Sequence, residues 1–172
     1  SDTVSPLLGQ PPAPELVQAV EELVMSHREI VGIHDLVVHD YGPGRLMITL
    51  HAEVPAEGNM LDLHDVVDTV ERELAEQMHC VATIHMDPIV TDETTIHLRR
   101  QVAEVVQTVD PRITIHDFRM VPGPTHTNLI FDAIVPFDLP MDEGEAEQAI
   151  RAKVRQMPGN YYAVVHAETS YI

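Results

Sequence analysis

Tryptophan is absent from the 172 residues, which include three phenylalanines and four tyrosines. The core must therefore be built mainly from Val, Ile, Leu, Met and Ala. The single cysteine, Cys80, excludes a disulfide framework and a multi-thiolate zinc finger, and it is typical of a reducing compartment. No apolar run approaches the ~20 residues that span a bilayer. Ser1–Pro14 also lacks the basic start and apolar core of a signal peptide, so the chain as given reads as a soluble intracellular polypeptide.

Basic residues are scarce as well. Lys and Arg number 10 against 28 Asp and Glu, which gives a formal charge of -18. This balance argues against nucleic acid as a partner, because phosphate binding needs clustered basic charge, and it favours cations. With 11 histidines, metal binding is the first function to consider. Most of the charge lies in residues 1–90, where 16 acidic residues face 3 basic ones and the net is -13.

The chain contains a tandem repeat. Ile33–Leu36 resembles Ile115–Phe118, and Ile84–Asp87 resembles Val165–Glu168, at offsets of 82 and 81 residues. A near-constant offset with one slip in a turn indicates two copies of one module. The predicted organisation is a linker over residues 1–13, a first module over 14–90 and a second, divergent module over 91–172.

Each copy follows the pattern α-β-β-α-β. In residues 45–54, apolar positions alternate with a second set that contains His51 and Glu53, which predicts a strand with one packed and one wet face. Pro88 is predicted to end the last strand of the first copy. The expected fold class is α+β, with two tandem metallochaperone-like (ferredoxin-like) modules. Each has a three-stranded sheet with two helices on one face, and the histidines lie on the other face.

The first module contains histidines and one carboxylate that are candidate metal ligands. His85 and Asp87 are two apart on a strand and so point to the same side. Imidazoles with a carboxylate form a zinc-type ligand set that also suits Co, Ni or Fe. Spacing alone leaves open the alternative that these histidines are ordinary polar surface residues. The predicted ligands are His34, His51, His64, His85 and Asp87.

Four segments that carry these ligands resemble the C-terminal cytoplasmic domain of bacterial cation diffusion facilitator (cation efflux) transporters. They are Gly32–Leu36, Leu50–Val54, Leu63–Asp65 and Ile84–Pro88. Ser5–Gly9 resembles the segment that leads out of the last membrane helix of that family. The resemblance implies a regulatory domain that dimerises, binds divalent metal and is joined to a proton-coupled metal exporter. It also implies that all five predicted ligands are metal-binding positions.

The second module resembles an extension found in some bacterial members of the family. Shifting the first site by 81 or 82 residues brings a possible ligand to every position, with more carboxylates than before. This mixture predicts either a site for a harder metal such as Mn or Fe or a polar face in a module that serves packing. The corresponding residues are His116, Asp132, Glu145, His166 and Glu168.

The function expected from these observations is a regulatory and dimerisation domain of a zinc-type divalent cation exporter, on the cytoplasmic side of the cell membrane. Metal bound at the His/Asp cluster would favour the transport-competent dimer. Zn is the expected metal, with Mn, Fe, Co and Cd as alternatives, and the expected partners are a second copy and the chain's own transmembrane domain. A metal-independent dimerisation module is the alternative. An enzyme is not expected, since the common nucleophile and metalloprotease motifs are absent.

Overall fold

The computed structural model describes residues 12–171. The chain divides into two compact units between Pro88 and Ile89, and each contains its own hydrophobic core. We refer to them as the first and second module. Most of the predicted linker over residues 1–13, including Ser5–Gly9, lies outside the described residues. Within residues 12–171, no helix is long and apolar enough to cross a membrane.

The first module contains two helices and a three-stranded sheet. The strand order is β1-β2-β3, and β1 pairs with β2 in antiparallel fashion. The buried side chains come from α1, the central strand β2 and α2, among them Val20, Leu50 and Leu74. The elements are α1 (Pro14–Met25), β1 (Gly32–Asp40), β2 (Leu46–Pro55), α2 (Met60–Met78) and β3 (Cys80–Ile89).

Local sequence signals account for the limits of these elements. Pro14 occupies the first turn of α1, where a missing N–H costs nothing. Asn59 caps α2 by accepting a hydrogen bond from the Asp62 N–H at 3.0 Å. The prediction that Pro88 ends β3 is wrong, because the strand continues to Ile89. β3 is an edge strand, and an edge position tolerates a proline that cannot donate a hydrogen bond.

The second module repeats this arrangement. The strand order is β4-β5-β6, with β4 antiparallel and β6 parallel to the central strand β5. Reciprocal capping boxes at Asp92 and Asp142 begin its two helices. The predicted α+β fold with two αββαβ modules is confirmed. The elements are α3 (Glu93–Val106), β4 (Thr114–Pro122), β5 (Thr127–Pro136), α4 (Glu143–Arg155) and β6 (Tyr161–Ser170).

A β-bulge interrupts the first strand of each module at the same place. The register shifts between His34 and Val37 in β1, and between His116 and Arg119 in β4. An aspartate in each bulge has left-handed backbone geometry, with φ of 51° at Asp35 and 55° at Asp117. Bulges re-aim side chains and are common beside functional sites.

A carboxylate on a helix also holds the edge strand of each module. Glu71 on α2 accepts a hydrogen bond from the Ile84 N–H on β3 at 2.8 Å. Glu147 on α4 accepts one from the Ala167 N–H on β6 at 2.9 Å. These bonds satisfy backbone donors for which the edge of a sheet offers no neighbouring strand.

Candidate metal centre

The histidine cluster lies on the sheet face of the first module that its helices do not cover. His34 on β1 is paired with His51 on β2. Alternation along β2 turns His51 away from Leu50 and Ala52, which belong to the core. Because β3 adjoins β2, it brings its own polar side chains to the same face.

Hydrogen bonds connect three of the predicted ligands. Asp87 Oδ2 lies 3.1 Å from His34 Nε2 and 3.0 Å from His51 Nδ1. One carboxylate oxygen of β3 therefore bridges imidazoles from β1 and β2. The three imidazole rings also stack in sequence, with centroids 4.7 Å apart for His34 and His51 and 4.9 Å for His51 and His85. Four predicted ligands therefore form one connected cluster: His34, His51, His85 and Asp87.

Glu53 is part of this cluster, although the sequence placed it on a wet face. Its side chain is buried, and Oε2 lies 2.8 Å from His34 Nδ1. Gly32, the residue opposite Glu53 in the β1–β2 pairing, makes the room for this carboxylate. A Cβ at position 32 would lie 2.7 Å from Glu53 Oε1. The expectation that Glu53 is exposed to solvent is wrong. It was based on alternation alone, which identifies the face of the strand but not the neighbouring residues that bury a side chain on that face.

The carboxylates determine the charge of His34. Burial opposes the charged form, but the hydrogen bonds with Asp87 and Glu53 outweigh it and raise the pKa of His34 to about 9. Burial likewise disfavours the charged form of Asp87, yet the hydrogen bond with His34 and the interactions with His51 hold the pKa of Asp87 below its ordinary value. Each ring nitrogen of His34 faces a carboxylate oxygen, which is the arrangement of a doubly protonated imidazolium.

Two contacts of Asp87 in this cluster are near the spacing expected between ligands of one metal ion. Ligand atoms around a tetrahedral Zn at ~2.0–2.1 Å lie about 3.3 Å apart, so the two contacts of Asp87 Oδ2 are a few tenths of an ångström short of that spacing. Glu53 contacts Nδ1 of His34 and leaves Nε2 on the cluster side, as in carboxylate–histidine–zinc triads. Ligand atoms of His34, Asp35 and His51 also lie within 4.8 Å of one another. Asp35 is not among the ligands predicted from the sequence, and its left-handed backbone in the bulge could not be predicted from its neighbours.

His64 is placed differently. It lies on α2, close to the first turn, and its side chain is exposed. The hydrogen bonds and ring contacts that connect the other four predicted ligands do not include it. Its role as a fifth ligand stays a prediction.

The second module brings three of its predicted residues into register. His116 is paired with Asp132, and Asp132 with His166. His166 Nε2 lies 3.5 Å from Glu168 Oε1, and both side chains are more than half exposed. Glu145 has another structural role, since it completes the capping box at the start of α4.

Carboxylates also approach each other in the second module. Burial raises the pKa of Asp132, and the charge of Asp117 together with a hydrogen bond to it adds to the rise. Electrostatic interactions with Arg119 and His166 oppose this shift. Arg119 therefore lies close enough to act on Asp132, and its Nη1 donates a hydrogen bond to the Asp117 carbonyl at 2.7 Å.

Comparison with known proteins gives matches to the first module. Residues 12–89 match the family described as cation efflux protein, cytoplasmic domain. The resemblance of the first module to this family is thereby confirmed. An uncharacterized transporter of Methanocaldococcus jannaschii is 30% identical over 83 residues, which are 47% of this chain and 29% of that protein. The chain thus spans less than a third of this relative.

Solved structures of similar domains cover parts of the chain. A solved structure of CzrB, described as a zinc transporter, is 27% identical with a TM-score of 0.42, and the match covers 45% of this chain and 98% of that one. The metal-bound C-terminal domain of the CzcD transporter from Thermotoga maritima is 14% identical with a TM-score of 0.39. It covers 43% of this chain and 87% of that one.

Proposed function

We propose that the first module is the metal-sensing regulatory domain of a divalent cation efflux transporter. The observation that carries this proposal is the shared carboxylate oxygen of Asp87, which lies within 3.1 Å of ring nitrogens of His34 and His51 in a domain matched to cation efflux proteins. Zn is the favoured metal because imidazole and carboxylate ligands suit it. Mn, Fe, Co and Cd are the alternatives.

The same residues suggest how metal is sensed. In the metal-free module, His34 is protonated and lies between the carboxylates of Glu53 and Asp87, whose negative charges it compensates. A divalent metal bound by His34, His51 and Asp87 replaces that proton, because metal ligands must be deprotonated. His85 and His64 are the further predicted ligands of this module.

Metal binding also makes the net charge of -13 carried by residues 1–90 less negative and thereby lowers the electrostatic repulsion between two copies. Regulation follows if the closed homodimer binds metal better than the open one, since a ligand shifts a population only by its differential affinity. In the complete transporter, this shift would favour the transport-competent arrangement of the chain's own transmembrane domain at the cytoplasmic side of the membrane.

Calorimetric titration of the chelator-stripped chain with Zn²⁺ tests the proposal. We expect saturable binding that is lost in His51→Ala and Asp87→Ala. His97→Ala, at an exposed histidine of α3, should bind as the wild type does, and His64→Ala tests the fifth ligand separately. Sedimentation with and without Zn²⁺ then reports dimerisation. Absence of binding, with equal dimer formation in chelator, would establish the metal-independent dimerisation module instead.

A further inference from the structure

We propose that Arg119 prevents metal from binding in the second module. Its guanidinium takes the place of a divalent cation on the open sheet face of the second module, so that metal binding is confined to the first. This inference rests on the proposed metal binding of the first module. It selects between the two alternatives that the sequence left open for the second.

The bulges show that Val37 and Arg119 occupy equivalent positions. Residues three apart on a regular strand face opposite sides of a sheet, but the extra residue of a bulge returns the chain to the same face. Val37 therefore shares a face with His34, and Arg119 with His116. Val37 is paired with Thr49, two residues before His51 on β2. Arg119 is paired with Ile130, two residues before Asp132 on β5.

The two residues differ in charge at this shared position. Val37 is apolar and 41% exposed, so it leaves the face beside the histidines open. Arg119 donates to the carbonyl of the bulge residue Asp117 at 2.7 Å, and its charge acts on Asp132. A guanidinium is always protonated and carries five donors that suit carboxylate oxygens. Its permanent positive charge therefore offsets part of the negative charge of Asp132 and repels a second cation.

The second module also lacks the buried carboxylate that supports the first site. Gly32 is paired with Glu53 in the first module, whereas Thr114 is paired with Ile134 in the second. His116 Nε2 lies 3.2 Å from the Thr114 hydroxyl, whereas Nδ1 of His34 lies 2.8 Å from the Glu53 carboxylate. A neutral partner does not raise the basicity of the imidazole as a carboxylate does. Metal binding in the second module is therefore disfavoured in two ways. Arg119 adds a positive charge, and Ile134 stands at the position of the Glu53 carboxylate.

The test removes the charge of Arg119 from a chain whose first site is disabled. In the His51→Ala/Asp87→Ala background, calorimetric titration with Zn²⁺ and with Mn²⁺ should show no saturable site while Arg119 is present. Arg119→Met, which keeps an unbranched side chain but removes the charge, should create one, and Arg119→Lys, which keeps the charge, should not. Circular dichroism verifies that each variant is folded. Saturable binding with Arg119 in place, or no gain in a folded Arg119→Met chain, would overturn the proposal.

The reciprocal substitution tests the first module. In the otherwise wild-type chain, Val37→Arg should weaken Zn²⁺ binding by ~100-fold or more, because a like charge lies a few ångströms from the cation, whereas Val37→Met should leave it within about threefold. Unchanged affinity in Val37→Arg would contradict the inference. A wild-type chain that binds no metal would refute the proposed function, while the Arg119→Met measurement still decides the role of Arg119.

Discussion

A rise in pH should destabilise the metal-free first module through His34. The buried hydrogen bonds with Glu53 and Asp87 raise the pKa of His34 from 6.5 to about 9. Since the folded pKa lies above the unfolded one, the stabilisation is fully present below about pH 6.5 and is lost as the pH rises through about 9. At ~1.4 kcal/mol per pKa unit, the difference amounts to at most about 3 kcal/mol in the free energy of unfolding.

Urea denaturation of the chelator-stripped chain at several values between about pH 6 and pH 10, followed by far-ultraviolet circular dichroism, measures this effect. The unfolding transition of the first module should move to a lower urea concentration as the pH rises. In His34→Gln, which cannot carry the charge, this dependence should flatten, whereas His97→Gln should retain it. A wild-type transition that stays constant across this range, or a His34→Gln variant with the full pH dependence, would refute the reasoning.

Further predictions follow from individual contacts. Metal binding near pH 7.5 should release about one proton from His34, which calorimetry in two buffers of different ionisation enthalpy detects. Gly32→Ala should lower the stability of the first module by ~1–3 kcal/mol in urea denaturation, because the new Cβ would lie 2.7 Å from the carboxylate of Glu53. Burial raises the pKa of the Cys80 thiol, so iodoacetamide should modify it more slowly at pH 8 in the folded chain than in urea. Asp92→Ala should cost about 1 kcal/mol, measured by thermal unfolding, because it removes the capping box of α3.

Periodicity and repetition in the sequence predicted the fold because they depend on local rules. Alternation along β2 separated His51 from the core residues beside it, and the offset of 81–82 residues carried the same pattern into the second module. The Asn59 cap at the start of α2 follows from a local rule of the same kind, because a short polar side chain there can accept from the free N–H groups of the first turn. Pro88 was misread, since whether a proline ends a strand depends on its place in the sheet, and edge strands tolerate it.

The charge network of the candidate site was harder to predict. Glu53 is buried because Gly32, 21 residues earlier in the chain, lacks the side chain that would fill the same space. Asp35 and Arg119 take their positions from bulges, and a single extra residue in a strand leaves little trace in a hydrophobic pattern. Residue types thus predicted which groups have ligand chemistry, while strand pairing determines which of them meet and what holds them.

The helix carboxylates at the sheet edges have a consequence for how copies of this chain associate. An edge strand with unpaired N–H groups invites a strand from another molecule, and continued addition of strands leads to open-ended aggregates. Glu71 and Glu147 occupy one such donor each on β3 and β6, and a strand added there would leave a carboxylate desolvated. The two modules thereby discourage intermolecular sheet extension along these edges.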